Sequence, residues 1–200
     1  QMCIRDRICV EVKDSLENAV KRLSDLGYII SDRYTICDNY FTKLDKHSIE
    51  QSSYQDLLNN SIIVRLVKSK NGEDKKIMYK SKTIVDGKVI DEKKYSVKVD
   101  DTEKAVQVLS AGGLECWCDY KYENIEFYDG EKYVVLQKVE GLGLFMEIED
   151  YQNINNLSAE EKYIFLSNLA KSFGLNLGDD YSCKKVYMKY LASIKHSEKD

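Results

Sequence analysis

The sequence has no proline and only two histidines among its 200 residues. No proline-rich linker divides the chain, and His47 and His196, which stand in polar surroundings, are expected to face solvent. No apolar run approaches the roughly 20 residues that a membrane-spanning helix needs, and no charged segment followed by an apolar stretch marks a secretory signal. We therefore expect a cytoplasmic protein without a membrane partner.

A large excess of charge of one sign is also missing. Lysine and arginine total 30 against 34 aspartate and glutamate residues, which gives a net charge of −4. Domains that bind nucleic acids in general are usually basic overall, so we expect no nucleic-acid partner. A local basic site is compatible with these numbers, because net charge does not describe how the charges are distributed.

Several short motifs of known chemistry are absent. The six cysteines lack the paired spacing of a zinc site, since Cys116 and Cys118 form an isolated C-x-C with no second pair. We expect free thiols in a reducing compartment. The chain also lacks the phosphate-binding loop G-x-x-x-x-G-K-[ST], the metalloprotease helix H-E-x-x-H and the nucleophile elbow G-x-S-x-G.

The length and the hydrophobic content of 43% predict one domain with a sizeable core. Residues 1–7 show neither periodicity nor a helix cap, and we expect them to be a non-native N-terminal segment. Residues 8–195 are predicted to form the domain, and residues 196–200 a tail.

Hydrophobic periodicity predicts an α+β domain built on a long antiparallel sheet. Asn71-Gly72, Asp86-Gly87 and Asp129-Gly130 indicate hairpin turns, and S-x-x-E at residues 158–161 indicates a capping box that begins a helix. The predicted strands are residues 8–13, 28–41 (one long strand or a bent pair), 61–68, 75–83, 89–99, 114–128, 132–140 and 144–149. The predicted helices are residues 14–26, 101–110, 158–173 and 183–194, with a short helix within 43–60.

Charged residues alternate with apolar ones on several of these strands. Glu11 and Lys13 share one face of the first strand, and Glu147 and Glu149 share one face of the last. Such faces are most often the solvated side of a sheet. In a closed barrel with helices packed outside, however, they would line a lumen.

Basic residues follow the same alternation on the central strands. Arg65 shares a face with Ile63 and Val67, Lys80 with Lys82, and Lys94 with Lys98. Basic side chains in a lumen would neutralise a polyphosphate. Carboxylates in the same lumen would hold Mg²⁺ or Mn²⁺, which prefer oxygen ligands.

Residues 139–149 (VEGLGLFMEIE) closely match the pattern V-x-G-L-G-x-F-x-E-I-E. Glu11 and Lys13 match part of E-x-E-x-K, residues 38–41 match D-x-Y-F, Arg65 matches the first position of R-x-R, and residues 79–80 match Y-K. In this order, over about residues 8 to 195, the motifs resemble those of the CYTH family. That family includes class IV adenylyl cyclases, thiamine triphosphatases and inorganic triphosphatases.

The resemblance implies an antiparallel β-barrel, the triphosphate tunnel, with flanking helices. It implies a Mg²⁺ or Mn²⁺ cofactor and a triphosphate or nucleoside triphosphate as the small-molecule partner. By the resemblance, the metal ligands are Glu11, Glu147 and Glu149. The substrate-binding residues are Lys13, Arg65, Lys80, Lys82, Lys94 and Lys98, of which Lys13, Arg65 and Lys80 are also catalytic.

The chain departs from the family pattern at several tunnel positions. Cys9 replaces the first glutamate of E-x-E-x-K, Val67 replaces the second arginine of R-x-R, and Gln137 replaces an aspartate. Lys94 and Ser96 stand where the pattern has two carboxylates, and Tyr120 and Tyr122 stand where it has the lysine and arginine of K-x-R.

Three functional hypotheses follow. The first is a class IV adenylyl cyclase-like enzyme that converts ATP to cyclic AMP and pyrophosphate, which the tyrosine-bearing closing helix favours. The second is a thiamine or inorganic triphosphatase. The third is a degenerate, non-catalytic tunnel that binds a nucleotide or polyphosphate, because the missing acids and arginines weaken catalysis. The sequence leaves a homodimer open.

Overall fold

The computed structural model describes residues 7–85, 88–149 and 157–197. Within these ranges, the side chains of residues 82–85, 88–92, 149, 159 and 195–197 lie outside the described part of the chain. The predicted Asp86-Gly87 turn and the side chains of Lys82 and Glu149 therefore fall outside it.

Eight strands form one antiparallel sheet, with helices flanking it, so the predicted α+β fold is confirmed. The strands follow the hydrogen-bonded order β1-β8-β7-β6-β2-β3-β4-β5, and in the described residues this order is open, with β1 at one end and β5 at the other. The strands are β1 (Arg7–Val12), β2 (Ile29–Thr42), β3 (Ser61–Ser69), β4 (Gly72–Val85), β5 (Lys88–Lys98), β6 (Glu115–Tyr128), β7 (Tyr133–Val139) and β8 (Gly143–Glu149).

The helices begin where polar side chains can satisfy their first backbone N–H groups. Ser15, Asp101 and Ser158 each accept a hydrogen bond from the backbone N–H three residues later, and Ser158 with Glu161 forms the predicted capping box. The helices are α1 (Leu16–Asp25), α2 (Lys46–Gln51), α3 (Tyr54–Asn59), α4 (Thr102–Ala111), α5 (Ala159–Ser172) and α6 (Lys185–Ser197). No helix of the described ranges is both long and apolar enough to cross a membrane.

Two hairpins can be compared with their predicted turns. Ser69 pairs with Gly72, so Lys70 and Asn71 form the two-residue turn between β3 and β4, one residue earlier than predicted. Asp129 lies between β6 and β7 as expected, and its carboxylate accepts hydrogen bonds from the backbone N–H groups of residues 131 and 132.

Contacts between residues separate the chain into two compact units. Of the described residues, unit 1 contains those within 7–34 and 122–185, and unit 2 contains those within 35–121 and 186–197. Each unit has a hydrophobic core of its own. The expectation of a single domain over residues 8–195, between a foreign segment and a tail, stays a prediction.

The core of unit 1 contains apolar side chains of the sheet together with those of α1 and α5. Because side chains alternate across a strand, Cys9, Glu11 and Glu147 lie on the opposite face of the sheet. The strand residues in this core are Ile8, Val10 and Val12 of β1, Ile125 and Phe127 of β6, Val134 and Leu136 of β7, and Leu144, Met146 and Ile148 of β8.

The core of unit 2 lies between α4 and the neighbouring strands. Phe41, Val64 and Ala105 are buried there, with Ile77 and Leu109 packed against them. The residues of β3 and β4 with the opposite parity, which include the predicted basic residues Arg65 and Lys80, therefore lie on the other face of the sheet.

Residues 176–183, here called the edge segment, follow β1 within unit 1. The backbone N–H of Cys9 donates to the carbonyl of Tyr181 at 3.1 Å, and that of Cys183 donates to the carbonyl of Cys9 at 3.0 Å. Lys13 and Gly178 add backbone hydrogen bonds of 2.8 and 2.9 Å. The edge segment thereby holds the start of α6 beside β1.

Candidate functional site

Five basic residues share one face of β3, β4 and β5 in unit 2, here called the basic face. The strand register places Arg65 opposite Lys76, Lys76 opposite Lys98, and Lys80 opposite Lys94. Residues directly opposite each other on antiparallel strands have Cβ atoms about 4.5–5.5 Å apart. The basic face therefore contains three cross-strand pairs of like charge, Arg65 with Lys76, Lys76 with Lys98, and Lys80 with Lys94.

Two aspartates offset part of this positive charge. The buried carboxylate of Asp38 accepts hydrogen bonds from Arg65, from Nε to Oδ1 at 2.7 Å and from Nη2 to Oδ2 at 2.5 Å. Asp74 accepts a hydrogen bond from Lys76 Nζ at 2.7 Å. That bond holds the pKa of Asp74 below its usual range, and the charges of Lys76, Lys98 and Arg65 act in the same direction.

Most of the predicted phosphate-binding residues of unit 2 occur on this face. Arg65, Lys80, Lys94 and Lys98 share it, as their sequence parity predicted. The backbone of Lys82 continues the same parity on β4. Sequence reasoning missed Lys76, although its spacing of four from Lys80 places it on the same face of a strand.

The face of unit 1 that lies opposite its core carries a different cluster, formed by Gln137, Glu147 and Lys185 and here called the Glu147 cluster. Lys185 Nζ lies 2.5 Å from Glu147 Oε1, and Gln137 Nε2 donates to Glu147 Oε2 at 3.1 Å. The ammonium of Lys185 also donates to the side-chain oxygen of Gln137. The exposed fractions of the Glu147 and Lys185 side chains are only 14% and 10%, so this is a largely desolvated ion pair.

Cys9 lies directly opposite Glu147 on β1 and is buried. A hydrogen bond with the thiol of Cys183 raises the pKa of Cys9, and burial raises it further. The same hydrogen bond lowers the pKa of Cys183, which belongs to the edge segment. At the position where the family pattern has a carboxylate, this chain therefore has a protonated thiol.

The predicted metal ligands do not form a ready site in the described residues. Glu11 is exposed and lies opposite Phe145, Glu149 lies opposite Arg7 in the register, and Glu147 is held by Lys185 and Gln137. Among the side chains that the structure describes, no group of three or more His, Cys, Asp and Glu residues is arranged to hold an ion. These residues do not fit a pre-formed divalent site, and Mg²⁺ or Mn²⁺ bound by Glu11, Glu147 and Glu149 stays a prediction.

Lys13 follows directly after β1 and has an exposed side chain in unit 1. Arg65 and Lys80, its predicted catalytic partners, belong to unit 2. A common cavity for the three residues stays a prediction. Lys185 was not predicted at all, because its partners are 38 and 48 residues away in the sequence.

Comparison with known proteins shows the fold. No family model matches the chain, and no curated protein matches its sequence. The PH1819 protein of Pyrococcus horikoshii has a similar structure, with a TM-score of 0.60, 14% identity, and coverage of 94% of this chain and 98% of that one. HpAC1 of Hippeastrum, described as a candidate adenylyl cyclase with a dominant triphosphatase activity, gives a TM-score of 0.58, 13% identity, and coverage of 94% and 95%.

A candidate adenylate cyclase of Vibrio parahaemolyticus matches with a TM-score of 0.56 and 16% identity, over 85% of this chain and 88% of that one. At such identities the likeness establishes the fold alone. The chain has the fold of the triphosphate-tunnel type, as its motifs predicted.

Proposed function

We propose that the chain binds a small molecule with a triphosphate group through the basic face of unit 2. The supporting observation is the set of three like-charge cross-strand pairs, Arg65 with Lys76, Lys76 with Lys98, and Lys80 with Lys94. Like charges directly opposite each other destabilise a sheet, so a protein keeps such pairs at a cost in folding free energy. A bound polyanion would relieve the repulsion and take hydrogen bonds from the same groups.

The composition of the basic face suits phosphate oxygens. The planar guanidinium of Arg65 can bind two oxygens at once, whereas each lysine acts as a mobile point charge. Asp38 and Asp74 are hydrogen-bonded to Arg65 and Lys76 and leave a balance of three positive charges among the five basic and two acidic groups. A triphosphate carries several negative charges and would match this balance.

For the reaction, we propose first the conversion of ATP to cyclic AMP and pyrophosphate, with Arg65 and Lys80 on the phosphates. Basic side chains would stabilise the charge that develops on the phosphoryl oxygens. Hydrolysis of thiamine triphosphate or of inorganic triphosphate is the alternative, and HpAC1, a protein of the same fold, is described with a dominant triphosphatase activity.

A second candidate function is binding without turnover. The Glu147 cluster favours it, because the acid that the family pattern assigns to the metal is paired with Lys185. In that case the chain would sense a nucleotide or polyphosphate.

Thermal unfolding with tripolyphosphate tests the shared part of both functions. A ligand that binds only the folded state raises the melting temperature, and we expect a rise that sodium sulfate at equal ionic strength does not give. No rise with tripolyphosphate, ATP or thiamine triphosphate would exclude both candidates. Cyclic AMP formation and phosphate release, measured on the same sample, then separate cyclase, triphosphatase and binding protein.

A further inference from the structure

The Glu147 cluster resembles a small cation site in which the cation is the ammonium group of Lys185. Glu147 uses one oxygen for the Lys185 ammonium and the other for the Gln137 amide. The side-chain oxygen of Gln137 also accepts from the ammonium. The ammonium therefore lies between two oxygen acceptors, the kind of ligand that Mg²⁺ and Mn²⁺ prefer.

We infer that Lys185 is the resident cation of this cluster and blocks Glu147 to divalent ions while it is in place. The inference rests on the proposed function and deepens it, because it puts an amino group of the chain where the family pattern places a metal ion. Lys185 is a positioning residue here: it fixes Glu147 and supplies no reacting atom.

The physical argument rests on desolvation and on tethering. The Glu147 carboxylate is mostly removed from water, so it requires a cation close by. Lys185 begins α6 two residues after the end of the edge segment, whose backbone is hydrogen-bonded to Cys9. An ammonium tethered in this way competes with a dissolved ion at a high effective concentration.

The surrounding residues also leave a divalent ion with few ligands. Cys9, opposite Glu147 in the register, offers sulfur where the family pattern has a carboxylate, and Mg²⁺ and Mn²⁺ prefer oxygen ligands. Gln137 is a neutral oxygen donor where an acid would add charge. A divalent ion that displaced Lys185 would thus gain one carboxylate ligand, and the protein would lose the ion pair between Glu147 and Lys185.

Mn²⁺ binding in the absence of any triphosphate tests the inference. Titration of the intact chain, followed by the electron paramagnetic resonance signal of unbound Mn²⁺, should show no site that depends on Glu147. If the intact chain binds Mn²⁺ and Glu147→Gln weakens that binding, the inference is wrong.

The variant Lys185→Met removes the ammonium and keeps most of the side-chain volume. We expect it to bind Mn²⁺ at least about 10-fold more tightly than the parent chain, since the unpaired carboxylate needs a cation. Mn²⁺ at ten times its dissociation constant should raise the melting temperature of the variant by about 3 to 6 °C. Lys184→Met, the same change at the neighbouring exposed lysine, should give neither effect.

The double variant Lys185→Met with Glu147→Gln should lose the gain, because its cluster is neutral. If Lys185→Met does not fold alone, refolding with and without Mn²⁺ at about 5 mM, above the dissociation constant of a weak site, gives the same comparison. Failure to refold in both conditions counts against the inference. Since the test uses Mn²⁺ alone, it can fail while tripolyphosphate still binds the basic face, and the reverse also holds.

Discussion

The guanidinium of Arg65 and the carboxylate of Asp38 form a two-point contact, with hydrogen bonds of 2.7 and 2.5 Å. Asp38 is fully buried, whereas the Arg65 side chain is 20% exposed. The pair thus combines the buried carboxylate of Asp38 with a partly exposed guanidinium of Arg65 that lies on the basic face. Asp38 uses two of the five guanidinium N–H donors and fixes the plane of the group.

Loss of Arg65 should destabilise unit 2 strongly, because it leaves the buried charge of Asp38 without its partner. For Arg65→Met we expect a loss of about 3–5 kcal/mol in the free energy of unfolding. Asp38→Asn combined with Arg65→Met should recover much of that loss. Urea unfolding followed by the fluorescence of Trp117, the one tryptophan of the chain and a buried residue of unit 2, measures both. Equal stability of the single and double variants would contradict the account.

Lys94 should contribute to polyphosphate binding, whereas Lys93 should not. The two are adjacent exposed lysines on β5, but only Lys94 has the parity of the basic face. Lys94→Ala should reduce the rise in melting temperature with tripolyphosphate, through loss of a charge-assisted contact worth about 1.5–3 kcal/mol. Lys93→Ala is the matched control. An equal reduction in both variants would mean that the lysines act only through net charge.

Removal of one charge from a like-charge pair should stabilise the chain when no anion is bound. Lys98→Gln removes the repulsion with Lys76 across β4 and β5, and we expect a gain of about 0.2–1 kcal/mol at low salt. The same variant should show a smaller response to tripolyphosphate. Screening by salt reduces repulsion between exposed charges, so the gain should shrink in 0.5 M sodium chloride (about a 4 Å screening length). A loss of stability at low salt would rule out repulsion at this pair.

Stability should fall in alkaline solution partly through Cys118. Burial raises the pKa of this thiol from an ordinary value of 9.0 to about 12, so the folded state retains the proton at a pH where the unfolded state releases it. This contribution is complete below pH 9 and is lost as the pH rises from 9 towards 12, by at most about 1.4 kcal/mol per unit of pH.

The comparison of the parent chain with Cys118→Ser isolates the contribution of Cys118 to the pH dependence of stability, because serine does not titrate in that range. Between pH 9 and pH 11, the range set by the pKa of Cys118, the free energy of unfolding should decline more steeply in the parent. Cys116→Ser, the same change at a more exposed thiol whose pKa is also raised by burial, should have a smaller effect. Parallel pH profiles of parent and Cys118→Ser would show that Cys118 does not carry the dependence.

Alternation along the strands allowed much of the fold and half of the site to be predicted. Ile8, Val10 and Val12 are buried on one side of β1, and Arg65 and Lys80 share a face because each strand has a period of two. Capping residues such as Ser158 and Glu161 gave helix starts for the same local reason.

The Glu147 cluster could not be predicted, because nothing local in the sequence marks its partner. Lys185 stands in a polar run at the start of a helix, and there it resembles any solvated lysine. Its contact with Glu147 depends on how the edge segment follows β1, which is a property of tertiary structure. The residue that changes the chemistry of the acidic site is therefore the one that motif comparison could not find.

The edge segment has one more consequence, which concerns association between copies of the chain. The outer strands of an open sheet tend to pair with other strands and to seed aggregates. Backbone groups of Cys9, Glu11 and Lys13 are already hydrogen-bonded to residues 176–183 and are not available for such pairing. At the other end of the sheet, β5 carries Lys93, Lys94 and Lys98, and lysines on an outer strand repel a second copy. The same lysines that suit a phosphate ligand would then also help to keep the chain from aggregating.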